Sequence, residues 1–178
     1  MPQNDPALLE QEGLACHAAN HHAQALDCFR QAQQLYAERG DRRGVSEMLN
    51  DIGVVHYRQR RWAEAEGAFR EAHQAAMPDD LDKQAQALGN LGSLYARQGR
   101  AVEAEEAFNQ AVALFRQLGD HDKAEATLKA LSDLSLKRGG WVEALLQHER
   151  RLAAIREPSL WQRFQLRLIK ALKRLAGM

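Results

Sequence analysis

LGSLYARQGRAVEAEEAFNQA, residues 91–111, carries apolar side chains at helical spacing on both sides of a break at Gly99. Leu91, Leu94 and Tyr95 recur at i, i+3 and i+4 before the break, and Ala104, Phe108 and Ala111 at i, i+4 and i+7 after it. That pattern predicts two amphipathic helices joined by a tight turn. The same register returns three times: EGLACHAANHHAQALDCFRQA from Glu12, IGVVHYRQRRWAEAEGAFREA from Ile52 and LSDLSLKRGGWVEALLQHERR from Leu131. Successive offsets are 40, 39 and 40 residues, taken from Gly13, Gly53, Gly92 and Ser132. Asn20, Arg60 and Gly139 to Gly140 mark the corresponding breaks.

The aligned columns have a packing logic. Gly13, Gly53 and Gly92 each cost a helix interior about 1 kcal/mol relative to alanine. They are tolerable if the partner helix comes too close for a side chain, with Ala25, Ala65, Ala104 and Ala144 expected as the other half of that contact. Phe29, Phe69 and Phe108 are expected to fill the space between one hairpin and the next. The fourth segment departs from the columns at Ser132, Ser135, His148 and Arg151.

The order Leu88, Leu91, Gly92, Tyr95, Ala104, Phe108, Ala111 resembles the tetratricopeptide pattern. Leu49, Ile52, Gly53, Ala65, Phe69, Ala72 and Leu9, Gly13, Ala25, Phe29, Ala32 repeat it. The resemblance runs from about Ala7 to Arg156 and implies an all-α, right-handed superhelix of four helical hairpins. A degraded last repeat fits, because terminal repeats face solvent on one side. The period of about 40 exceeds the standard of about 34. The extra residues lie between hairpins, where Gly40-Asp41 and Gly119-Asp120 suit a left-handed helix end followed by an N-cap, as does Met77-Pro78-Asp79-Asp80. This long form is similar to the arrays of kinesin light chains, polarity adaptors and bacterial signalling regulators. The expected units are residues 7–40, 41–78, 79–118 and 119–157, then a separate tail, 158–178.

Bulk properties narrow the function. The chain has 178 residues, 45% hydrophobic, with 24 acids and 24 bases. This balance gives no nucleic-acid signal. The start, MPQNDPALLEQEG, lacks the basic and apolar regions of a secretory signal, and no apolar run approaches the roughly 18 residues of a membrane span. Cys16 and Cys28 read as reduced thiols, and a cytoplasmic location is expected. There is no Gly-rich phosphate loop, His-Glu-x-x-His, Cys-x-x-Cys or G-x-S-x-G, so neither an enzyme nor a cofactor is expected. Cys16, His17, His21 and His22 are the one metal-like cluster. They read better as a buried small thiol beside solvent-facing histidines at a turn, and His148 as a half-buried histidine in an apolar column.

The tail reads as a single helix. Trp161, Phe164, Leu168, Leu172 and Leu175 fall on one side, and Arg163, Arg167, Lys170 and Arg174 on the other. Residues 158–178 hold five bases and no acid. The tail is expected to cap the fourth hairpin, burying Trp161, Phe164, Leu168 and Leu172 near Leu145 and Leu152. Alternatives are an interfacial membrane helix, which would make the protein a membrane-tethered assembly factor, and a homo-oligomerisation helix.

In tetratricopeptide arrays the first helix of each hairpin lines a concave groove. Five residues past the glycine column stand Arg58, Arg97 and Lys137, a basic ladder; Tyr57, Asn50, Asp51 and Asn90 stand nearby. The resemblance implies that such residues hold a partner peptide, here one with acidic groups. A cation at a helix C-terminus would also be basic without any ligand. The expected function is a non-catalytic adaptor or scaffold, with a peptide-sensing regulatory module as the alternative.

Overall fold

The computed structural model describes residues 5–137, 141–155 and 159–175; the side chains of 136–145 and 172–175 lie outside it. The described chain forms nine helices and no strand. They are α1 (Pro6–Ala18), α2 (His22–Glu38), α3 (Arg42–Arg58), α4 (Trp62–Ala75), α5 (Leu81–Gln98), α6 (Ala101–Leu118), α7 (His121–Lys137), α8 (Trp141–Ala153) and α9 (Leu160–Leu175). Consecutive helices pack pairwise as four hairpins, and α9 packs on α8.

Punctuation follows the sequence. Asn20, Arg60 and Gly99 turn the first three hairpins with φ of 62°, 60° and 75°. Between hairpins, Gly40 and Gly119 take φ of 68° and 74°. Asp41, Asp80 and Asp120 then cap the next first helix through the backbone N–H groups of Gly44, Lys83 and Lys123, at 3.0, 3.2 and 3.0 Å. These bonds satisfy donors that a helix start leaves open. The second helices α2, α4 and α6 have no side-chain cap.

The glycine column has a different partner from the one expected. A Cβ on Gly13 would lie 2.5 Å from the Phe29 ring, on Gly53 2.5 Å from Phe69, and on Gly92 2.6 Å from Phe108. The aromatic ring of the same hairpin, not the alanine column, therefore excludes a side chain there. Ala25, Ala65 and Ala104 are fully buried. The rings also join one hairpin to the next, as expected: Phe29 clusters with Met48, Ile52 and Val55 of α3, and Phe69 with Leu91, Leu94 and Tyr95 of α5. At the junction between the first two hairpins the Tyr36 ring of α2 likewise lies against Gly44 of α3.

Polar links reinforce the stacking. Ser46 Oγ donates to the Ala72 carbonyl at 2.8 Å, and the Arg42 guanidinium closes the end of α4 on the Gln74 and Ala75 carbonyls. Glu66 accepts from Arg70 at 2.8 Å, Tyr95 at 3.1 Å and Arg100 at 2.7 Å, and Arg100 lies 4.2 Å over the Tyr95 ring. Burial pushes the Glu66 carboxyl up, but the bonds from Arg100, Arg70 and Tyr95 outweigh it and hold it below its ordinary range.

The tail corrects an expectation. Ile169 is 4% exposed and Leu152 1%, so α9 covers the end of the array. Trp161, Phe164 and Leu168, expected in that contact, are instead 65%, 53% and 49% exposed. A helix of this length turns one narrow face to α8, and Ile169 occupies it. Leu145 and Leu172 have side chains outside the described residues.

Candidate functional site

First helices touch one another along the row, α3 with α5 and α5 with α7, which places them on the inside of the bend. The backbone periodicity that sets the core columns also sets what faces inward. Asn50 and Asn90, one repeat apart, meet directly: Asn90 Nδ2 donates to Asn50 Oδ1 at 2.7 Å. Tyr57 and Arg97 are likewise joined, the Arg97 guanidinium donating to Tyr57 Oη at 3.2 Å.

Arg58 and Arg97 are exposed in the last turns of α3 and α5. With Tyr57, Arg60 and Trp62 they line a recess of about 410 Å³. The Trp62 ring stands edge-on to Tyr57, centroids 5.6 Å apart. Lys137, the third rung of the ladder, ends α7, and its side chain lies outside the described residues. Arg60 was not singled out by the column reading. Its signal was the turn itself, where the neighbouring repeat uses Gly99.

Asp51 belongs to the middle of α3, away from the arginines. Burial above all, then the charges of Glu47 and Glu10, raises its carboxyl from 3.8 to about 7, against the opposing pull of Lys83 and a hydrogen bond from Asn50. Lys83 Nζ pairs with Glu47 at 2.8 Å, and Tyr36 Oη donates to Glu10 at 3.0 Å. The inner face is thus divided across its width. Acids gather toward the middle of the first helices, and arginines stand at their C-terminal ends.

A feature missed in sequence lies between α5 and α7. Gly89, Asn90, Ser93, Ala126, Thr127 and Ala130 line a recess of about 400 Å³. A second of about 190 Å³, with Ala96, Arg97 and Asp133 in its walls, runs on toward Tyr57. Small side chains keep this channel open. A Cβ on Gly89 would meet nothing within 4 Å, unlike one on Gly92. The signal was the recurrence of small residues facing away from the core columns.

His17 and His22 are half-buried rather than fully solvent-facing, rings 6.0 Å apart. Burial first, then the Arg58 and His22 charges, lowers the His17 pKa. Among the described residues no group of three or more His, Cys, Asp or Glu is placed to hold a metal ion. Cys16 and Cys28 are free, half-buried thiols, and Cys16 Sγ donates to Gln24 Oε1 at 3.9 Å.

Two tetratricopeptide repeat models match the chain, over residues 45–76 and 83–157. The chain is a tetratricopeptide repeat protein. Solved structures share the fold of this repeat protein. BtubC (BKLC) from P. vanneervenii superposes with a TM-score of 0.74 at 19% identity, over 87% of this chain and 69% of that one. Aspartyl phosphate phosphatase F from Bacillus subtilis gives 0.79 at 16%, over 84% of this chain and 39% of that one. PilF of Pseudomonas aeruginosa gives 0.51 at 18%, over 96% and 91%. The repeat protein spans well under half of the Bacillus protein. No curated protein matches it. Such repeat arrays serve protein interaction as scaffolds.

Proposed function

We propose that the chain is a non-catalytic cytoplasmic scaffold whose inner face holds an extended segment of a partner protein. The segment lies in the channel between α5 and α7 and sets acidic side chains against the arginine edge. The observation that carries this reading is the recess at the ends of α3 and α5, where Arg58, Arg60 and Arg97 stand beside Tyr57 and Trp62. Three guanidinium groups with two aromatic faces suit a carboxylate on a peptide, which accepts charge-assisted hydrogen bonds while its neighbours pack flat.

Capture experiments test this with four baits: the native chain, Arg58→Glu/Arg97→Glu, Ala126→Trp and Arg116→Glu. Ala126 is exposed in the channel, and Arg116 is exposed on α6, away from it. Arg70 would be an unsuitable control, because it is bonded to Glu66 and Tyr95. A partner held by the native and Arg116→Glu chains and lost by both channel variants is the expected result. Reversal of a desolvated arginine should cost about 1–3 kcal/mol of affinity. Partners indifferent to both channel variants would refute the groove reading.

A further inference from the structure

Helix α9 presents three sectors around its axis. One faces the array: Ile169 is buried, with Gln162, Gln165 and Leu166 half-buried beside it. The second is apolar and open to water: Leu160 is 84% exposed, Trp161 65%, Phe164 53% and Leu168 49%. The Trp161 and Phe164 rings stack in solvent, centroids 5.5 Å apart at 20°. The third is basic, with Arg163, Arg167 and Lys170 exposed. Sequence beyond Glu157 adds Lys173 and Arg174 and no acid.

Capping the array accounts for the first sector and leaves the other two unexplained. Contiguous exposed aromatic and aliphatic side chains on a protein surface mark an interaction site. We propose that α9 is a peripheral membrane anchor, its Trp161–Phe164–Leu168 sector entering the surface of an anionic bilayer and its bases meeting the lipid phosphates. Charge decides between occupants. A symmetric dimer through this face would set the same residues of two copies against each other. That arrangement brings two sets of Arg167 and Lys170 together with no acid on the helix to pair them. An anionic bilayer neutralises all of them. Tryptophan and phenylalanine suit the boundary between headgroups and acyl chains, and a basic flank beside them completes an interfacial helix. No described helix is long and apolar enough to cross a membrane, so α9 would lie on the surface. The attachment is independent of the channel, which lies along α5 and α7.

The test sediments the full chain with vesicles of equal parts phosphatidylcholine and phosphatidylserine, and with vesicles of phosphatidylcholine alone. The chain should pellet with the first and not the second, and added salt should release it, because screening shortens the reach of the lipid charge. Tryptophan emission should shift to the blue on binding, and the shift should vanish in Trp161→Phe while binding persists. Arg167→Gln and Lys170→Gln should each weaken partitioning about fivefold. Trp161→Ser/Phe164→Ser should abolish it without lowering the melting temperature, because both residues are exposed in water. Failure to bind phosphatidylserine vesicles overturns the proposal, as does equal binding to both vesicles. A dimer in free solution that Trp161→Ser/Phe164→Ser dissolves, with no vesicle binding, would assign the face to a second copy instead.

Discussion

The third hairpin and the fourth are built on one plan, and of the four column positions at which they differ two are coupled. In the third, Gly92 leaves room for the Phe108 ring, and a Cβ at Gly92 would come within 2.6 Å of it. In the fourth, the glycine is Ser132 and the ring is His148, sixteen residues on in both cases. Ser132 is buried, and His148 is half-buried with Nδ1 2.9 Å from the Arg151 guanidinium. A side chain arrives in the glycine position only where the large ring has gone. The two columns are therefore one steric device. The repeat that lacks it is the one against which α9 packs.

The largest expected contrast is truncation of the ring. Phe108→Ala should cost about 3–5 kcal/mol by denaturant melts. His148→Ala should cost much less, because that side chain is smaller and only half-buried. Comparable losses would erase the distinction between the hairpins. Next comes the glycine. Gly92→Ala should destabilise by about 1–3 kcal/mol through overpacking against the ring, although alanine is the better helix former. Gly89→Ala, three residues earlier on the open channel, should stabilise by up to about 1 kcal/mol. Equal signs at Gly92 and Gly89 would remove the steric explanation.

Coupling sharpens the point. Gly92→Ser/Phe108→His grafts the fourth repeat's pair onto the third, and its loss should fall short of the sum of the single changes by about 0.5–3 kcal/mol. Additive losses would mean that the columns vary independently. The smallest effect is one of pH. Burial first, then the Arg151 charge, lowers the His148 pKa below 6.5. The unfolded chain then binds more protons as pH falls through 6.5, so stability contributed by neutral His148 is present above that value and lost below it. The stability of the native chain should fall more steeply in acid than that of His148→Gln. Identical slopes would show that His148 senses no burial.

Much of this was legible in sequence because it is local. Helical spacing, the Gly-Asp junctions and the break at each turn are set within a few residues, and they gave the helices and their caps. The choice of ring over alanine against Gly92 was not legible, because column spacing places both on the same helix while rotamer direction decides which reaches the glycine. The Glu66–Arg70–Tyr95–Arg100 cluster joins residues from different repeats, and no column records it. The orientation of α9 also escaped: its apolar side is plain in sequence, but the surface of α8 decides which part of the helix turns inward. At the candidate site, Asn50 meets Asn90 and Tyr57 meets Arg97 across neighbouring columns, one position off the register that aligns Asp51 with Asn90 and Arg58 with Arg97. The acidic environment of Asp51 and the small-residue channel depend on how the first helices lie against each other.

The groove account is tested most directly by an amide chemical-shift map of the protein with a partner captured by the native chain. The prediction is that perturbed amides cluster on the inner row, at Tyr57–Arg60 and Gly89–Arg97 and around Ala126 and Ala130, while exposed positions of α4 and α6 stay in place. Perturbations concentrated on α4 and α6, with the inner row unmoved, would contradict it.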